Sequence, residues 1–360
     1  MNILFVKLGS IGDIVHTLPS LAAVRKALPG AKISWVVERR AAEILKDNPL
    51  LETLIEVDTK GLRRWPLSGE TLSATRRRLR RSSASPFDLS IDFQGLFKSG
   101  FVGRLGGARK RVGFTRAELR EPVSRIFLTR TVRIPPRLNV IRKNLALASG
   151  ALGMELPTAS DSFEFPIHTS TTHEREADAV VQTVGERFTI LNPGGLWVTK
   201  LWDAARYGEL ADALLKQYGL RSVVTYGPGE RALAESIVAA SRTGAATAVS
   251  PTLKGFYALA RRATVYVGGD TGPTHLAVAA GAPVVGLYGP TEWWRNGSPR
   301  EEDICVERTD IGCRTDCHRR TCSNWICMDI GVSNVAAAVG ERLRRAEKAS
   351  RPDEVLAGGA

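Results

Sequence analysis

The stretch that decides the fold reads Val265-Tyr-Val-Gly-Gly-Asp-Thr-Gly-Pro-Thr-His-Leu-Ala-Val-Ala-Ala-Gly-Ala-Pro-Val-Val-Gly-Leu-Tyr-Gly-Pro-Thr291. It predicts a strand, a Gly- and Thr-rich turn, a short helix from Pro273 and a second strand. In such a β-α-β unit the helix N-terminus offers unpaired N–H groups at the carboxyl end of a parallel strand, where anions bind. Asp270, Thr271 and Thr274 are therefore candidate anion-site residues, with ordinary N-capping as the alternative.

The same alternation of strands and helices runs through the chain. Strands are predicted at residues 3–8, 32–38, 53–58, 88–93, 111–114, 188–192, 222–226, 246–249, 264–267 and 284–288, and helices at residues 14–28, 204–218, 230–242 and 253–262. Two such runs within 360 residues predict an α/β protein with two Rossmann-like domains, whose parallel sheets face each other across a cleft. We place these domains at residues 1–165 and 166–345, and expect residues 346–360 to be a disordered tail.

The positive charge is confined to one half. Residues 1–165 contain 28 Lys and Arg against 15 Asp and Glu, whereas residues 166–360 contain 22 of each. This asymmetry indicates that the first half meets a polyanion, such as nucleic acid, an anionic membrane or a charged substrate; a solvated basic face is the alternative. The N-terminus enters a strand directly and no run of about 18 apolar residues occurs, so we expect a cytoplasmic protein.

The loop after the first strand carries Gly9 and Gly12 but no third glycine at dinucleotide-binding spacing, so a nicotinamide dehydrogenase is weakly supported. Asp13 lies at the mouth of the helix that follows. A carboxylate there either complements the helix dipole or serves as a general base. Local sequence leaves both readings open.

Several separated motifs resemble those of bacterial lipopolysaccharide heptosyltransferases, and most closely the heptosyltransferase I branch. They are Val6-Lys-Leu-Gly-Ser-Ile-Gly-Asp-Ile-Val-His-Thr-Leu-Pro19, Arg63-Arg-Trp65, Ile91-Asp-Phe-Gln-Gly-Leu-Phe-Lys-Ser99, Arg120-Glu-Pro122 and Asp270-Thr-Gly-Pro-Thr-His275. The likeness covers about residues 1–345. It implies the GT-B fold, the donor ADP-L-glycero-D-manno-heptose, and transfer with inversion to a Kdo residue of the lipopolysaccharide inner core (Kdo-lipid A).

The resemblance also assigns roles to residues. Asp13 matches the catalytic base, and its basic surroundings predict that its pKa is not high. The donor would be bound by Thr199, Lys200, Glu230, Asp270, Thr271, Gly272 and His275, with Lys200 on the diphosphate and Glu230 on the ribose hydroxyls. Because no Asp-x-Asp triplet occurs, we expect protein groups to supply the positive charge and no cofactor to be required. Without the resemblance, Lys200 reads as a surface lysine, Glu230 as a first-turn acid and His275 as a capped helix residue.

The acceptor is expected in the basic half. Arg63, Arg64, Gln94 and Arg120 match positions that meet the anionic glycolipid, and arginine binds carboxylates and phosphates bidentately. Residues 76–81, Arg-Arg-Arg-Leu-Arg-Arg, predict either peripheral contact with the anionic cytoplasmic face of the inner membrane or a solvated helix face.

Cysteines are concentrated near the C-terminus. Cys313, Cys317, Cys322 and Cys327 stand close together, with His318 beside them and Cys305 upstream. In a cytosolic protein this favours a structural zinc site, reduced packing cysteines, or a redox or partner contact over disulfides, although the spacing is not that of Cys-x2-Cys pairs.

Two other functions remain open. A glycosyltransferase of the same fold with another acceptor or sugar is the first, and the Arg63 and Gln94 motifs disfavour it. A basic module that binds nucleic acid is the second. It is disfavoured because the charge lies away from the Asp270 turn, so we expect no nucleic-acid partner.

Overall fold

The computed structural model describes residues 1–58, 76, 77, 79, 86–157, 159–314 and 317–350, except for the side chains of residues 161, 349 and 350. The chain divides into two compact units, Met1–His168 (unit 1) and Thr169–Ala360 (unit 2). The boundary expected from the sequence, after residue 165, lies three residues before the observed boundary after His168. Arg63, Arg64 and three of the six residues of the basic run at residues 76–81, namely Arg78, Arg80 and Arg81, lie outside the described residues.

Unit 1 is built on a parallel sheet of six described strands, in the order β3-β2-β1-β4-β5-β6. The strands are β1 (Asn2–Val6), β2 (Lys32–Glu38), β3 (Thr53–Val57), β4 (Leu89–Asp92), β5 (Lys110–Phe114) and β6 (Arg130–Val132). The helices are α1 (Ile11–Val15), α2 (Leu18–Ala27), α3 (Phe97–Leu105) and α4 (Val140–Leu152), with short 3-10 helices at Arg39–Leu45, Pro122–Phe127 and Ser160–Ser162.

The single helix predicted at residues 14–28 is wrong, because the structure has two helices there. The first ends at Val15, and the Thr17 hydroxyl donates to the Asp13 carbonyl at 2.8 Å. Pro19 then lies in the first turn of α2, where its missing N–H is tolerated. The first helix also begins earlier than predicted, at Ile11, so Asp13 lies in its first turn.

Unit 2 repeats the architecture of unit 1, with six described parallel strands in the order β12-β11-β10-β7-β8-β9. They are β7 (Phe188–Asn192), β8 (Arg221–Thr225), β9 (Ala246–Val249), β10 (Val265–Gly269), β11 (Val284–Tyr288) and β12 (Ile304–Glu307). The helices are α5 (Thr171–Val184), α6 (Ala204–Tyr218), α7 (Arg231–Ala240), α8 (Leu253–Ala260), α9 (Gly272–Ala279), α10 (Trp293–Asn296) and α11 (Val332–Ser350), with a 3-10 turn at Val198–Lys200.

The cores lie on both faces of each sheet. In unit 1 the side chains of Ile3, Leu4, Phe5 and Val6 are fully buried, and every residue of β10 and β11 in unit 2 is buried. Strands buried on both faces read as continuous apolar runs, which is why sequence predicted the central strands. The edge strands β6 and β12 were missed because they are short and only partly buried.

Strand order fixes where ligands can bind. In each unit the chain starts in the middle of the sheet, moves to one edge and returns to the other side of the first strand. The order therefore reverses between β1 and β4 and again between β7 and β10. The loops at the carboxyl ends of these strand pairs splay apart and leave a crevice for ligands. Asp13 and Gln94 follow β1 and β4, and Lys200 and Asp270 follow β7 and β10.

The expectation of a disordered tail from residue 346 is wrong for its first part, because α11 continues to Ser350. This helix is anchored by charge. The Arg342 guanidinium donates to the Asp303 carboxylate at 2.8 Å, and both side chains are buried. The Val284 amide donates to the same carboxylate at 2.9 Å, which ties α11 to β11. Residues 351–360 lie outside the described residues, and within those described no helix has the length and apolar composition needed to cross a bilayer.

Replacing Asp303 by Ala tests this anchor. The change leaves the Arg342 guanidinium buried without its carboxylate, and breaking a buried pair in this way costs about 3–5 kcal/mol. We expect the free energy of unfolding, measured by urea denaturation with circular dichroism, to fall by a comparable amount. The matched control is Asp310→Ala, which removes the exposed partner of Arg308 and should change stability little. Equal stability of Asp303→Ala and the wild-type protein would contradict the anchor.

Candidate active site

Asp13 lies at the N-terminal turn of α1, directly beyond β1. Its carboxylate accepts a hydrogen bond from the Ser10 amide at 3.0 Å and faces the Lys7 ammonium at 3.4 Å. The Arg120 guanidinium is 3.7 Å from the same carboxylate. The carboxylate therefore caps the helix and sits between two cations, so the capping alternative and a chemical role are compatible in this geometry.

The electrostatics keep Asp13 ionised. Burial by itself would raise the pKa of its carboxyl, but the charges of Lys7, Arg120 and His16 and the Ser10 amide outweigh burial and hold that pKa well below its usual range. The prediction that this pKa is not high is confirmed. Lys7, whose role the sequence reasoning missed, has a buried ammonium that also donates to the Phe93 carbonyl at 2.9 Å. A lysine at the end of an apolar strand was the available signal.

Gln94 closes the same crevice from the end of β4. Its side-chain oxygen accepts from the Leu8 amide at 3.1 Å, so Gln94 holds the start of the Asp13 loop. Asp92 in turn accepts from the Gln94 amide at 2.9 Å and from the Ser99 hydroxyl at 2.9 Å. The structure thus brings Asp13, Gln94 and Arg120 to one end of the unit 1 sheet.

In unit 2 the corresponding crevice is organised by a second Lys–Asp pair. The Lys200 ammonium lies 2.6 Å from the Asp270 carboxylate and donates to the Asp270 carbonyl at 3.1 Å. The other carboxylate oxygen lies 3.2 Å from His275 Nε2. Asn296, which the sequence reasoning missed, donates to Asp270 at 3.3 Å. Three predicted donor-binding residues, Lys200, Asp270 and His275, therefore form one network.

The Asp270 turn leads directly into α9. Within the described structure, Thr271 occupies the N-cap position without a side-chain cap bond. The Thr274 hydroxyl is engaged elsewhere, with the Gly269 carbonyl and the Tyr266 hydroxyl. The amides at the start of α9, including that of Gly272, are therefore not capped by these threonines and can bind an anion. Burial would raise the pKa of Asp270, but His275 and Lys200 outweigh burial and keep it well below its usual range.

Glu230 lies at the N-cap position of α7, beyond β8. Its carboxylate accepts from the Gly227 amide at 2.9 Å. A Cβ atom on Gly194 would lie 2.4 Å from that carboxylate, so the glycine lets Glu230 lean over the loop that follows β7. Glu230 is thereby held beside the loop that carries Lys200, and Gly194 is a further residue that the sequence reasoning missed.

Thr199 serves a different contact from the one expected. Its buried hydroxyl donates to the Arg319 carbonyl at 2.7 Å, and its own carbonyl accepts from the Trp325 indole at 3.0 Å. Both bonds connect the cysteine-rich segment, residues 313–327, to the loop that follows β7 and carries Thr199. The segment brings Arg320 over the Trp197 ring at 5.0 Å, where the Lys200 ammonium already lies at 4.3 Å. Trp197 thus holds two cations beside the Asp270 turn.

The cysteines are all free thiols. Cys313 is exposed, and the other four are partly buried. Burial, followed by the electrostatic effect of Cys317, Cys313 and Cys322, raises the pKa of the Cys327 thiol. As placed, no group of three or more Cys, His, Asp or Glu side chains in the described residues is arranged to hold a metal ion. The zinc site stays a prediction.

Each crevice contains one Lys–Asp ion pair. The aspartate side chain is the more exposed partner in unit 1, and the lysine side chain is the more exposed partner in unit 2. In unit 1 the Lys7 side chain is 4% exposed and that of Asp13 is 16% exposed, so the carboxylate reaches solvent. In unit 2 the Asp270 side chain is 5% exposed and that of Lys200 is 14% exposed, so Lys200 is the more exposed partner. Unit 1 can therefore accept a proton, and unit 2 can bind an anion.

Comparison with known proteins identifies the family of the chain. Residues 74–326 match glycosyltransferase family 9 (heptosyltransferase). Lipopolysaccharide heptosyltransferase 1 of Pseudomonas aeruginosa is 30% identical over 326 residues, which span 90% of this chain and 88% of that protein.

Solved structures agree in fold. E. coli heptosyltransferase WaaC with ADP superposes with a TM-score of 0.70 at 26% identity, over 85% of this chain and 93% of that one. WaaC with ADP-2-deoxy-2-fluoro heptose gives a TM-score of 0.74 at 23% identity, over 95% and 99%. The predicted GT-B class, with two Rossmann-like parallel sheets, is confirmed. The chain belongs to glycosyltransferase family 9 and is a lipopolysaccharide heptosyltransferase.

Proposed function

We propose that the protein transfers heptose from ADP-L-glycero-D-manno-heptose, with inversion, to a Kdo residue of the lipopolysaccharide inner core. The observation that carries the proposal is the Lys200–Asp270–His275 network at the uncapped start of α9. A helix N-terminus with an adjacent ammonium is suited to a diphosphate. ADP and an ADP-heptose analogue bound to the related WaaC support this donor.

In this proposal unit 2 stabilises the leaving group. Lys200 and the first amides of α9, at Thr271 and Gly272, bind the diphosphate oxygens whose charge grows as the bond to the anomeric carbon breaks. Asp270 and His275 hold Lys200 in place, and Arg320 adds a second cation beside Trp197. Glu230 accepts hydrogen bonds from the ribose hydroxyls. The positive charge thus comes from side chains and amides of the chain, without a required cofactor.

Unit 1 supplies the base. The Asp13 carboxylate takes the proton of the acceptor hydroxyl while that oxygen bonds to the anomeric carbon on the side opposite the leaving ADP. Because its pKa is depressed, Asp13 is a weak base that accepts the proton late, when the hydroxyl has become acidic. Arg120 and Gln94, with Arg63 and Arg64, bind the anionic glycolipid. We further propose that the protein works in the cytoplasm, peripherally on the inner membrane.

Calorimetry with ADP, NAD, UDP and GDP tests the donor class. A variant of Lys200 tests the proposed diphosphate site at the start of α9. We expect ADP to bind most tightly. Lys200→Ala removes a charged hydrogen bond worth about 1.5–3 kcal/mol, so its Kd for ADP should rise about 10- to 150-fold. Lys216→Ala, which removes an exposed lysine on α6, is the matched control and should bind like wild type. Equal affinity of the Lys200 variant and wild type for ADP would exclude Lys200 from the diphosphate site.

Asp13→Asn tests the base. The amide keeps the shape of the side chain but cannot take a proton, so we expect kcat for heptose transfer to fall by about 10²–10⁴-fold with little change in ADP affinity. Asp88→Asn is the matched control. Asp88 also accepts a backbone amide, that of Asn2 at 2.9 Å, but it precedes β4 at the other end of the sheet. Near-normal transfer by Asp13→Asn would reject the role.

The state of the cysteines is measurable directly. Because all five are free thiols in the structure, we expect five titratable thiols per unfolded chain without added reductant. Elemental analysis of protein purified without an affinity metal column tests the zinc prediction on the same sample. Stoichiometric zinc would establish a metal site, and a smaller thiol count would reveal a disulfide and contradict the expected reduced state.

A further inference from the structure

The 3-10 helix at Pro122–Phe127, which we call the reversed helix, exposes two aliphatic side chains and buries a serine. Val123 is 55% exposed and Ile126 is 68% exposed, whereas Ser124 is fully buried. Burying an aliphatic side chain is favourable by about 1.5–3 kcal/mol in general, so folding normally turns such residues inward. A buried serine between two exposed aliphatic residues therefore marks a surface that is shaped to meet something apolar.

The reversed helix rests on a rigid support. Phe97, at the start of α3, is 44% exposed, and its ring packs edge-on against Phe127 at 4.9 Å. A Cβ atom on Gly100 would lie 2.9 Å from the Phe127 ring, so α3 and the 3-10 helix are in close contact. The Glu121 carboxylate accepts from the Phe97 amide at 2.6 Å. Phe97, Val123 and Ile126, which we call the apolar patch, are held in place before any partner binds.

The surroundings of the patch are basic. Arg116, Arg120 and Arg125 are exposed in the segment that leads into and through the reversed helix. The nearby acids are engaged locally, since Glu118 accepts from the Thr115 hydroxyl at 2.7 Å and Glu121 caps α3. The excess positive charge of the whole protein also lies in this half. An apolar centre with arginines around it complements a surface that is anionic outside and hydrocarbon beneath.

We propose that the apolar patch is a membrane-docking surface, which inserts Phe97, Val123 and Ile126 into the headgroup boundary of an anionic phospholipid bilayer while the arginines bind lipid phosphates. The placement suits a glycolipid acceptor, and in this respect the inference rests on the proposed function. Arg120, within 3.7 Å of Asp13, immediately precedes the Glu121–Pro122 start of the reversed helix. Docking there would hold the acceptor-side residues next to the bilayer surface.

Vesicle sedimentation without any substrate tests the surface. We compare wild type with Val123→Ser/Ile126→Ser on vesicles of phosphatidylglycerol and phosphatidylethanolamine at low salt. The double serine variant should lose about tenfold or more in partition coefficient, while the matched control Val123→Leu/Ile126→Leu should bind like wild type. Wild type should bind vesicles of phosphatidylcholine alone much more weakly. Equal binding of the serine variant and wild type, or an equal loss in the leucine variant, would overturn the proposal.

A second readout separates this inference from the proposed function. With a deacylated, water-soluble Kdo acceptor, the serine variant should keep the wild-type kcat/KM, whereas with Kdo-lipid A in vesicles its rate should fall. A serine variant impaired equally on both acceptors would place Val123 and Ile126 in the active site and overturn docking. If wild type transfers no heptose but loses vesicle binding on serine substitution, the surface stands and the proposed function fails.

Discussion

A buried Lys–Asp pair at the point where strand order reverses is the constraint on which each unit depends. The pairs Lys7–Asp13 and Lys200–Asp270 both lie at the carboxyl ends of the central strands, beside a helix N-terminus. Removing two charges from water is costly, and mutual attraction offsets that cost only with good geometry and further hydrogen bonds. The Ser10 amide and the Phe93 carbonyl supply these bonds in unit 1, and His275 and Asn296 supply them in unit 2.

The chemical difference between the units follows from which partner is turned toward solvent. A partly exposed carboxylate held by buried Lys7 is an ionised proton acceptor in a fixed position. Lys200, the more exposed partner of buried Asp270, is a cationic group held in a fixed position. The two helix starts also differ, because the Ser10 amide at the start of α1 donates to Asp13, while Thr271 at the start of α9 makes no side-chain cap bond. In the proposed function, one architecture therefore gives a base in one unit and a phosphate site in the other.

Sequence predicted the features that depend on local pattern. Central strands buried on both faces are continuous apolar runs, and Gly-rich turns after them indicate the ligand edge, so the two sheets and the Asp13 and Asp270 loops were placed correctly. Contacts between distant segments leave no local pattern. The pairing of Thr199 with Arg319, the stacking of Arg320 on Trp197 and the lean of Glu230 over Gly194 join residues that are separated by tens of positions or more. The helix break at Pro19 and the anchored α11 were missed because amphipathic periodicity alone does not locate a helix end.

A depressed pKa looks unfavourable for the base that we propose at Asp13, and the reason it would be tolerated concerns timing. A carboxyl with a pKa below its usual range is ionised throughout the neutral pH region, so none of the enzyme is lost to a protonated, inactive form. Its weakness matters little if the acceptor hydroxyl releases its proton only after its oxygen has begun to bond to the anomeric carbon. Most of the barrier then lies in the departure of the diphosphate, so stabilisation by Lys200 and α9 should govern the rate more than the basicity of Asp13.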